Sequence, residues 1–548
     1  MPLLRTACCL SVAPLKLAVR PSRLALARAF QSLPPSAASA KHRSSSADLP
    51  SVIIAQFWND LMKASRAKAA LPVIPPGTNP ARDESAIRRL LRATMLSRKE
   101  HGGGDMLPAT LAARCCEFYE ALGMDERQTF LTILARDFDV DQAQALAAAQ
   151  AYISATSESA DPNQGAPQNS ASVIHRRQLA LRAALRPLYE QFFDQVSHLP
   201  TGVQFLVSLR ADVLTILGTN GNDAHLRALS ESLRTKLQTW FGSTAQLELR
   251  RLQWDSTPAG VLEMVARYEA VHAVEGWQGL KQRLRGNARV AYAFFHRGLE
   301  GVPLTFVMVA LVDAMPENVS DLLTDTDPHV DNPTAAVFYS ISSSQKGLSG
   351  VDLGNFLIKR VVRELQALRP TLTTFATLSP IPRFRAWLAP ALNEARAGRG
   401  PPLLLDGEGT IADFEQALEQ GDLTSVKPTL LRLCARYLLV EKKRAAALDP
   451  VANFHLRNGA CLLRLCWAGD PSEKGYAQSY GMMVHYSYRL PILHENNTRY
   501  LLDGTVAVIE PEHEDRDPAQ RAVRWAVEEG GARVQMVSGC ESSERARL

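Results

Sequence analysis

The stretch from Ala336 to Arg369, AVFYSISSSQKGLSGVDLGNFLIKRVVRELQALR, constrains the fold most, because its hydrophobic period changes midway. Ala336, Val337, Phe338, Tyr339 and Ile341 suit a buried strand. Gly347, Gly350 and Gly354 punctuate the turn that follows. From Asn355 onward Ile358, Val361, Val362, Leu365 and Leu368 recur at helical spacing, with Lys359, Arg360, Arg363 and Glu364 towards the other face. A glycine loop entering a helix N-terminus presents unpaired backbone N–H groups at the positive end of the helix dipole. That arrangement suits an anion, and a pyrophosphate in particular. The glycine spacing alone is a weak signal, since many such loops only turn the chain.

At 548 residues the chain has room for two or three domains with sizeable cores. The apolar fraction of 46% and charged fraction of 21% are those of an ordinary globular protein. A net charge of +5, with no basic stripe interleaved with aromatics, gives no reason to expect a nucleic-acid partner. The run Val302–Val312 is about half the ~20 residues a membrane-spanning helix needs, so it reads as a buried strand and no membrane insertion is expected. None of the eight cysteines forms a Cys-x-x-Cys pair, and no Cys/His spacing suits zinc. Reduced, buried thiols are expected rather than a disulfide framework.

Four regions follow from composition and period. Residues 1–47 lack Asp and Glu but carry Arg5, Lys16, Arg20, Arg23, Arg28, Lys41 and Arg43, the pattern of a mitochondrial presequence. Residues 48–242 read as helical, with candidates at Val52–Ala67, Glu84–Ser97, Leu107–Leu122, Asp125–Phe138, Val140–Ala155, Val173–His198, Gly202–Leu217 and Asp223–Phe241. Residues 156–171 form a polar loop among them. This half shows no catalytic constellation and suits a self-association module. Residues 243–505 alternate strand and helix as an α/β domain does, with strands expected at Leu247–Trp254, Pro303–Asp313, Ala335–Ser342, Thr373–Ser379, Ala460–Cys466 and Met482–Tyr488. Residues 506–548 read as a tail ending Ala546-Arg547-Leu548, which resembles a Ser-Lys-Leu peroxisomal address.

Two further segments bear on chemistry. In Thr377-Leu378-Ser379-Pro380-Ile381-Pro382 the prolines stiffen a strand end and hold Ser379 on its rim. In Asn453-Phe454-His455-Leu456-Arg457-Asn458-Gly459 a histidine lies between apolar residues just before a strand. Spacing leaves both open: Ser before Pro is ordinary turn chemistry, and His beside Phe is commonly a core residue.

Taken together, four blocks in order resemble the malonyl-CoA decarboxylase family: Phe338–Ser342, Gly347–Gly354, Leu378–Pro382, and Pro450–His455 with Asn458–Ala460. The resemblance implies a helical oligomerisation domain, forming a dimer or tetramer, followed by an acyl-CoA-binding domain of the GNAT fold. It implies decarboxylation of malonyl-CoA to acetyl-CoA and CO2 in fatty acid metabolism, with no cofactor or metal. Ser349, Gly350, Val351, Asp352, Leu353, Gly354 and Asn355 correspond to the malonyl-CoA-binding loop, and Ser379 and His455 to the active-site pair. The two chain ends imply import receptors as partners and residence in the mitochondrial matrix, with peroxisomal and cytoplasmic fractions. Two other readings share the loop: an acyl-CoA-dependent N-acyltransferase, which needs an amine acceptor, and a non-enzymatic acyl-CoA-binding scaffold, which would form no product.

Overall fold

A computed structural model describes residues 83–95, 106–159, 170–242, 246–324, 329–351, 353–399, 403–404, 407–510, 517–528, 531 and 533–538, all within one compact unit. The expected presequence, the expected helix at Val52–Ala67 and Cys8, Cys9 and Cys540 lie outside these residues.

The helical half comprises α1 (Glu84–Met95), α2 (Met106–Glu120), α3 (Met124–Asp137), α4 (Gln142–Ser159), α5 (Ser170–Ala184), α6 (Tyr189–Ser197), α7 (Gly202–Asn220) and α8 (Ala224–Phe241). In α8, Leu226, Leu229, Leu233, Leu237 and Phe241 recur at three- and four-residue intervals, and all are buried. Asp223 caps this helix by accepting from the His225 and Leu226 amides. The single helix expected over Val173–His198 is two, α5 and α6, because Pro187 between them has no N–H to donate. Helix α7 is apolar enough over 18 residues to cross a membrane by length and composition. Its Phe205, Leu206, Leu209 and Val213 are instead buried among neighbouring helices.

The second half is built on a nine-stranded sheet: β1 (Leu247–Leu252), β2 (Arg289–His296), β3 (Thr305–Val312), β4 (Ala335–Ser343), β5 (Thr374–Pro380), β6 (Cys461–Cys466), β7 (Met483–Ser487), β8 (Val506–Ile509) and β9 (Val534–Val537). Its order is β1-β2-β3-β4-β5-β7-β6-β8-β9. The helices that cover it are α9 (Ala259–Tyr268), α10 (Gly276–Leu284), α11 (Leu353–Leu368), α12 (Phe384–Arg396), α13 (Ile411–Gln420), α14 (Lys427–Leu439), α15 (Pro450–Arg457), α16 (Glu473–Ser479), α17 (Leu493–Asp503) and α18 (Pro518–Glu528).

Both faces of the central strands are buried, which explains their near-continuous apolar sequence. Val290, Tyr292 and Phe294 of β2, with Val307, Val309 and Leu311 of β3, pack in the core that includes Ile358, Val361, Val362 and Leu365 of α11. Their alternates Ala291, Ala293, Phe295, Phe306, Met308 and Ala310 face a second core with Val261, Leu262, Val265, Leu280 and Leu284 of α9 and α10.

Two features depart from the sequence reading. Strand β2 was not among the expected strands. The residues set apart as a tail from 506 do not form one. Val506–Ile509 pairs in parallel with Val534–Val537 as part of the main sheet, and α18 between them buries Ala519, Ala522, Val523 and Ala526. Short strands whose partners are remote in sequence carry little local signal of their own.

Strand β4 is the pivot. It pairs antiparallel with β3 along its length, with one extra residue at Tyr339, since Phe338 faces Val309 and Ser340 faces Met308. It pairs in parallel with β5 only from Ala335–Thr374 to Phe338–Thr377. Beyond those pairs the two strands part, and β5 continues against β7. The loop after β4 is seated on the helical half. A Cβ on Gly347 would lie 1.9 Å from the carbonyl oxygen of Val207 on α7, so only glycine allows this approach. Gly347→Ala is therefore expected to cost about 1–3 kcal/mol of stability through overpacking, read as a lower urea midpoint. A midpoint equal to wild type would show that the loop does not rest on α7.

Candidate active site

The parted ends of β4 and β5 enclose a cleft of about 400 Å³. One end is formed by Ser349, Gly350, Val351, Leu353 and Gly354, the glycine loop and the start of α11. The other is formed by Leu378, Ser379 and Pro380 of β5 with Phe454 and His455 of α15. The structure thus gathers seven of the nine residues singled out in the sequence around one cavity. Asp352 lies outside the described residues, as does the side chain of Asn355.

Each end has a local cause. Gly350 has φ +78°, the left-handed region glycine adopts freely, and its turn delivers the chain to the N-terminus of α11. Four amides at that terminus have no intrahelical acceptor. Gly354 admits the ring of Phe454, whose edge would lie 3.1 Å from a Cβ there, so the start of α11 and α15 touch.

His455 sits on a helix absent from the sequence expectations. Asp449 is its N-cap, accepting from Val451 N at 2.9 Å and Ala452 N at 2.8 Å, and Pro450 occupies the first helical turn. The Asp-Pro pair before an apolar run is the signal that could have announced it. Tyr437 donates to Asp449 at 3.3 Å, and burial raises the Asp449 pKa.

Strand alternation assembles the rest. Thr377 and Ser379 are two apart on β5, so their side chains share a face, and the Ser379 hydroxyl meets Thr377 Oγ1 at 2.9 Å. Tyr486 on β7 and Tyr488 just past its end are likewise two apart, and both reach His455. Tyr486 stacks on the imidazole at 4.6 Å between ring centroids, and the Tyr488 hydroxyl lies 2.8 Å from Nδ1. The remaining ring nitrogen, Nε2, is 3.0 Å from Ser379 Oγ. One orientation satisfies the whole chain: Tyr488 donates to Nδ1, Nε2–H donates to Ser379, and Ser379 donates to Thr377. Thr377, Tyr486 and Tyr488 were not singled out in the sequence as site residues. Only tertiary structure brings them to His455.

Burial dominates the electrostatics. His455 is 3% exposed, and loss of solvent lowers its pKa to about 3, so the ring is neutral at physiological pH. Burial also raises the Tyr488 phenol far above its ordinary value. A second pair lies on the β4 side of the cleft, where Ser340 donates to the buried Glu269 carboxylate at 2.6 Å. Glu269 also accepts from the Val271 and His272 amides and so ties the loop after α9 to β4. Among the described residues no group of three or more His, Cys, Asp and Glu side chains comes together as a metal site. The described cysteines, Cys115, Cys116, Cys434, Cys461 and Cys466, are free and buried.

A helical half followed by a mixed sheet that forks beside a glycine loop defines the class: a helical domain joined to an α/β domain whose cleft gathers a serine and a histidine. The narrower assignment comes from relatives. Residues 245–522 match the malonyl-CoA decarboxylase C-terminal domain, and residues 138–241 match the malonyl-CoA decarboxylase N-terminal domain. The chain belongs to the malonyl-CoA decarboxylase family. It is 35% identical over 472 residues to the mitochondrial malonyl-CoA decarboxylase of Rattus norvegicus, covering 80% of this chain and 94% of the relative. It is 36% identical over 414 residues to that of Anser anser anser, covering 71% and 80%. The crystal structure of malonyl-CoA decarboxylase from Rhodopseudomonas palustris is similar, with a TM-score of 0.67 and 32% identity over 80% of this chain and 99% of that one. That from Agrobacterium vitis has a TM-score of 0.65 at the same identity and coverage.

Neutral burial of histidine ties folding to pH. In the unfolded chain each imidazole takes up its proton near pH 6.5. In the folded chain burial delays uptake to about 3 for His455 and about 4 for His272. Between those values the unfolded state holds more protons, so stability is full above about pH 6.5 and is lost as pH falls towards 4. The urea midpoint at pH 5 is expected to lie below that at pH 7, with His455→Gln flattening part of the difference. Equal midpoints for the unmodified chain would contradict the neutral, buried rings.

Proposed function

We propose that Ser379 and His455 carry out the decarboxylation of malonyl-CoA that membership of this family brings, with the glycine loop holding the CoA end. The observation that carries this reading is the 3.0 Å contact between Ser379 Oγ and His455 Nε2 in the cleft that this loop also lines. The pyrophosphate takes the amides of Gly350 and the first turn of α11, and the acyl group reaches between the strand ends.

The chemistry asks for orientation and one proton. When the bond between the carboxylate carbon and the α-carbon breaks, its electrons pass into the thioester, giving CO2 and an enolate. The enolate carbon then takes a proton to become acetyl-CoA. A donor held against the thioester oxygen lowers the energy of the charge that develops there, and the Ser379 hydroxyl, which gives its one proton to Thr377 in the empty site, turns to give it. An ordinary histidine pKa near 6.5 would make His455 a ready proton donor near neutrality, but burial keeps the ring of the empty site neutral. The substrate changes that balance. A malonyl carboxylate brought beside the ring favours the imidazolium. The proton therefore enters with the substrate, sits on His455, and moves to carbon once CO2 has left. The ring ends neutral again, matching the single proton the reaction consumes. Tyr488, donating to Nδ1 in the empty site, turns to accept from it in the charged form.

The relatives are named mitochondrial, and the mitochondrion is where we place this enzyme. The finer assignments are part of the same proposal and rest on sequence pattern. They are a dimer or tetramer through the helical half, import receptors as partners, and peroxisomal and cytoplasmic fractions.

His455→Ala and Ser379→Ala are each expected to lower kcat by about 10²–10⁴-fold while CoA binding is retained, read as labelled CO2 released from malonyl-CoA without an acceptor. Release at the wild-type rate from either variant would remove that residue from the mechanism. Tyr488→Phe loses the polar contact at Nδ1 and is expected to fall between them and wild type.

A further inference from the structure

The glycine loop has turn hydrogen bonds of its own, and it is also held from the helical half. Helix α7, in the helical half, lies beneath it and presents Arg210. Arg210 is 4% exposed, yet among the described residues its guanidinium forms no ion pair. Its bonds all go to backbone carbonyls. Nη1 donates to Gly347 O at 2.5 Å and to Ser349 O at 2.8 Å, while Nε donates to Ser230 O of α8 at 3.1 Å. A buried cation without a carboxylate partner is costly, and a leucine would fill a core position more cheaply.

We propose that Arg210 is a positioning residue for substrate, orienting the glycine loop and placing a positive charge behind it towards the diphosphate of the CoA thioester. The argument rests on the reading of this loop as the CoA end of the site. In a planar trans peptide the C=O and the following N–H point in opposite directions. Because Ser349 O is turned down to Arg210, the N–H of Gly350 is turned up, and Gly350 lines the cleft. The φ of +78° at Gly350 then carries the chain on to the start of α11. Arg210 thus acts through the loop on the amides that meet the anion. Its own charge stays on at any physiological pH, because the guanidinium does not deprotonate. Arg234 is also near, and it forms an ion pair with Glu231 at 2.5 Å. A second tether, from Lys346 Nζ to Thr215 Oγ1 at 2.8 Å, fixes the loop's entry on the same helix.

The role predicts selectivity for one part of the substrate. Malonyl-pantetheine carries the same thioester but stops short of the diphosphate. Arg210→Met is expected to raise KM for malonyl-CoA about tenfold, as loss of a charged hydrogen-bond anchor does, with kcat changed far less. Its kcat/KM for malonyl-pantetheine should stay within about twofold of wild type. Arg210→Lys keeps the charge but not the two-pronged geometry and should recover part of the loss. Parallel losses on both substrates, or no loss on either, would overturn the proposal. Should Arg210→Met fail to fold, the ratio of the two substrates in Arg210→Lys decides in the same way. Ser379→Ala separates this inference from the site chemistry. It should lower kcat on both substrates, and its failure to do so would count against the chemistry while leaving the Arg210 selectivity to stand.

Discussion

The parting of β4 from β5 is the constraint on which the rest of the molecule depends. Two parallel strands that separate in a sheet would ordinarily strand a row of backbone donors and acceptors. Here each strand keeps its outer neighbour after losing its inner one. Past Phe338, β4 stays bonded to β3, and past Thr377, β5 stays bonded to β7. The extra residue at Tyr339 adds local twist and turns β4 outward as the pairing ends. A cleft therefore opens in the middle of a sheet with little sacrifice of hydrogen bonds, and both of its walls are rigid. The glycine loop leaves from one wall, and Ser379 stands at the end of the other.

The same geometry explains what the sequence could disclose. The strand, loop and helix from Ala336 to Leu368 were legible because their signal is a period written into neighbouring residues, and the structure places them at β4 and α11 within a residue or two. The described helices of the first half were legible for the same reason, apart from the break that Pro187 enforces. Ser379 and His455 were legible only through ordered blocks shared with a family, since their meeting is set by the sheet. Thr377 and Tyr488 were not named as site residues because neither carries a local signal that its own side chain turns towards His455. Only the period-two alternation of β5 and β7, once those strands are paired, turns Thr377 with Ser379 and Tyr486 with Tyr488 towards one imidazole. The strands after 506 were lost because each is four residues long and has its partner elsewhere.

Electrostatics is where reading residues by type misleads most. A histidine judged by its ordinary pKa would be a ready acid near neutrality. The ring in this fold is enclosed by Tyr486, Tyr488, Phe454 and Ser379, with no carboxylate bonded to it among the described residues. Such a pocket disfavours charge until something brings a counter-charge. Malonyl-CoA brings one, on the group that the reaction then removes as neutral CO2. On the proposed mechanism the pocket is acidic only while it is occupied by the substrate that needs the acid. On that mechanism the carboxylate that stabilised the imidazolium is gone once CO2 has left, and transfer of the proton to carbon is favoured.

The helical half, which carries no catalytic constellation of its own, fits the same logic. A loop built of glycines gains close approach to an anion but forfeits the side-chain packing that would hold it in place. Buried Leu348, Val351 and Leu353 restore part of that packing, and α7 adds to it. Val207 blocks any side chain at Gly347. Arg210 captures two loop carbonyls, and Thr215 receives Lys346. These contacts come from three positions on one helix, so any shift of α7 moves the loop as a body rather than loosening it. On this view the boundary near residue 243 divides the sequence by period and composition, while the CoA end of the site spans it.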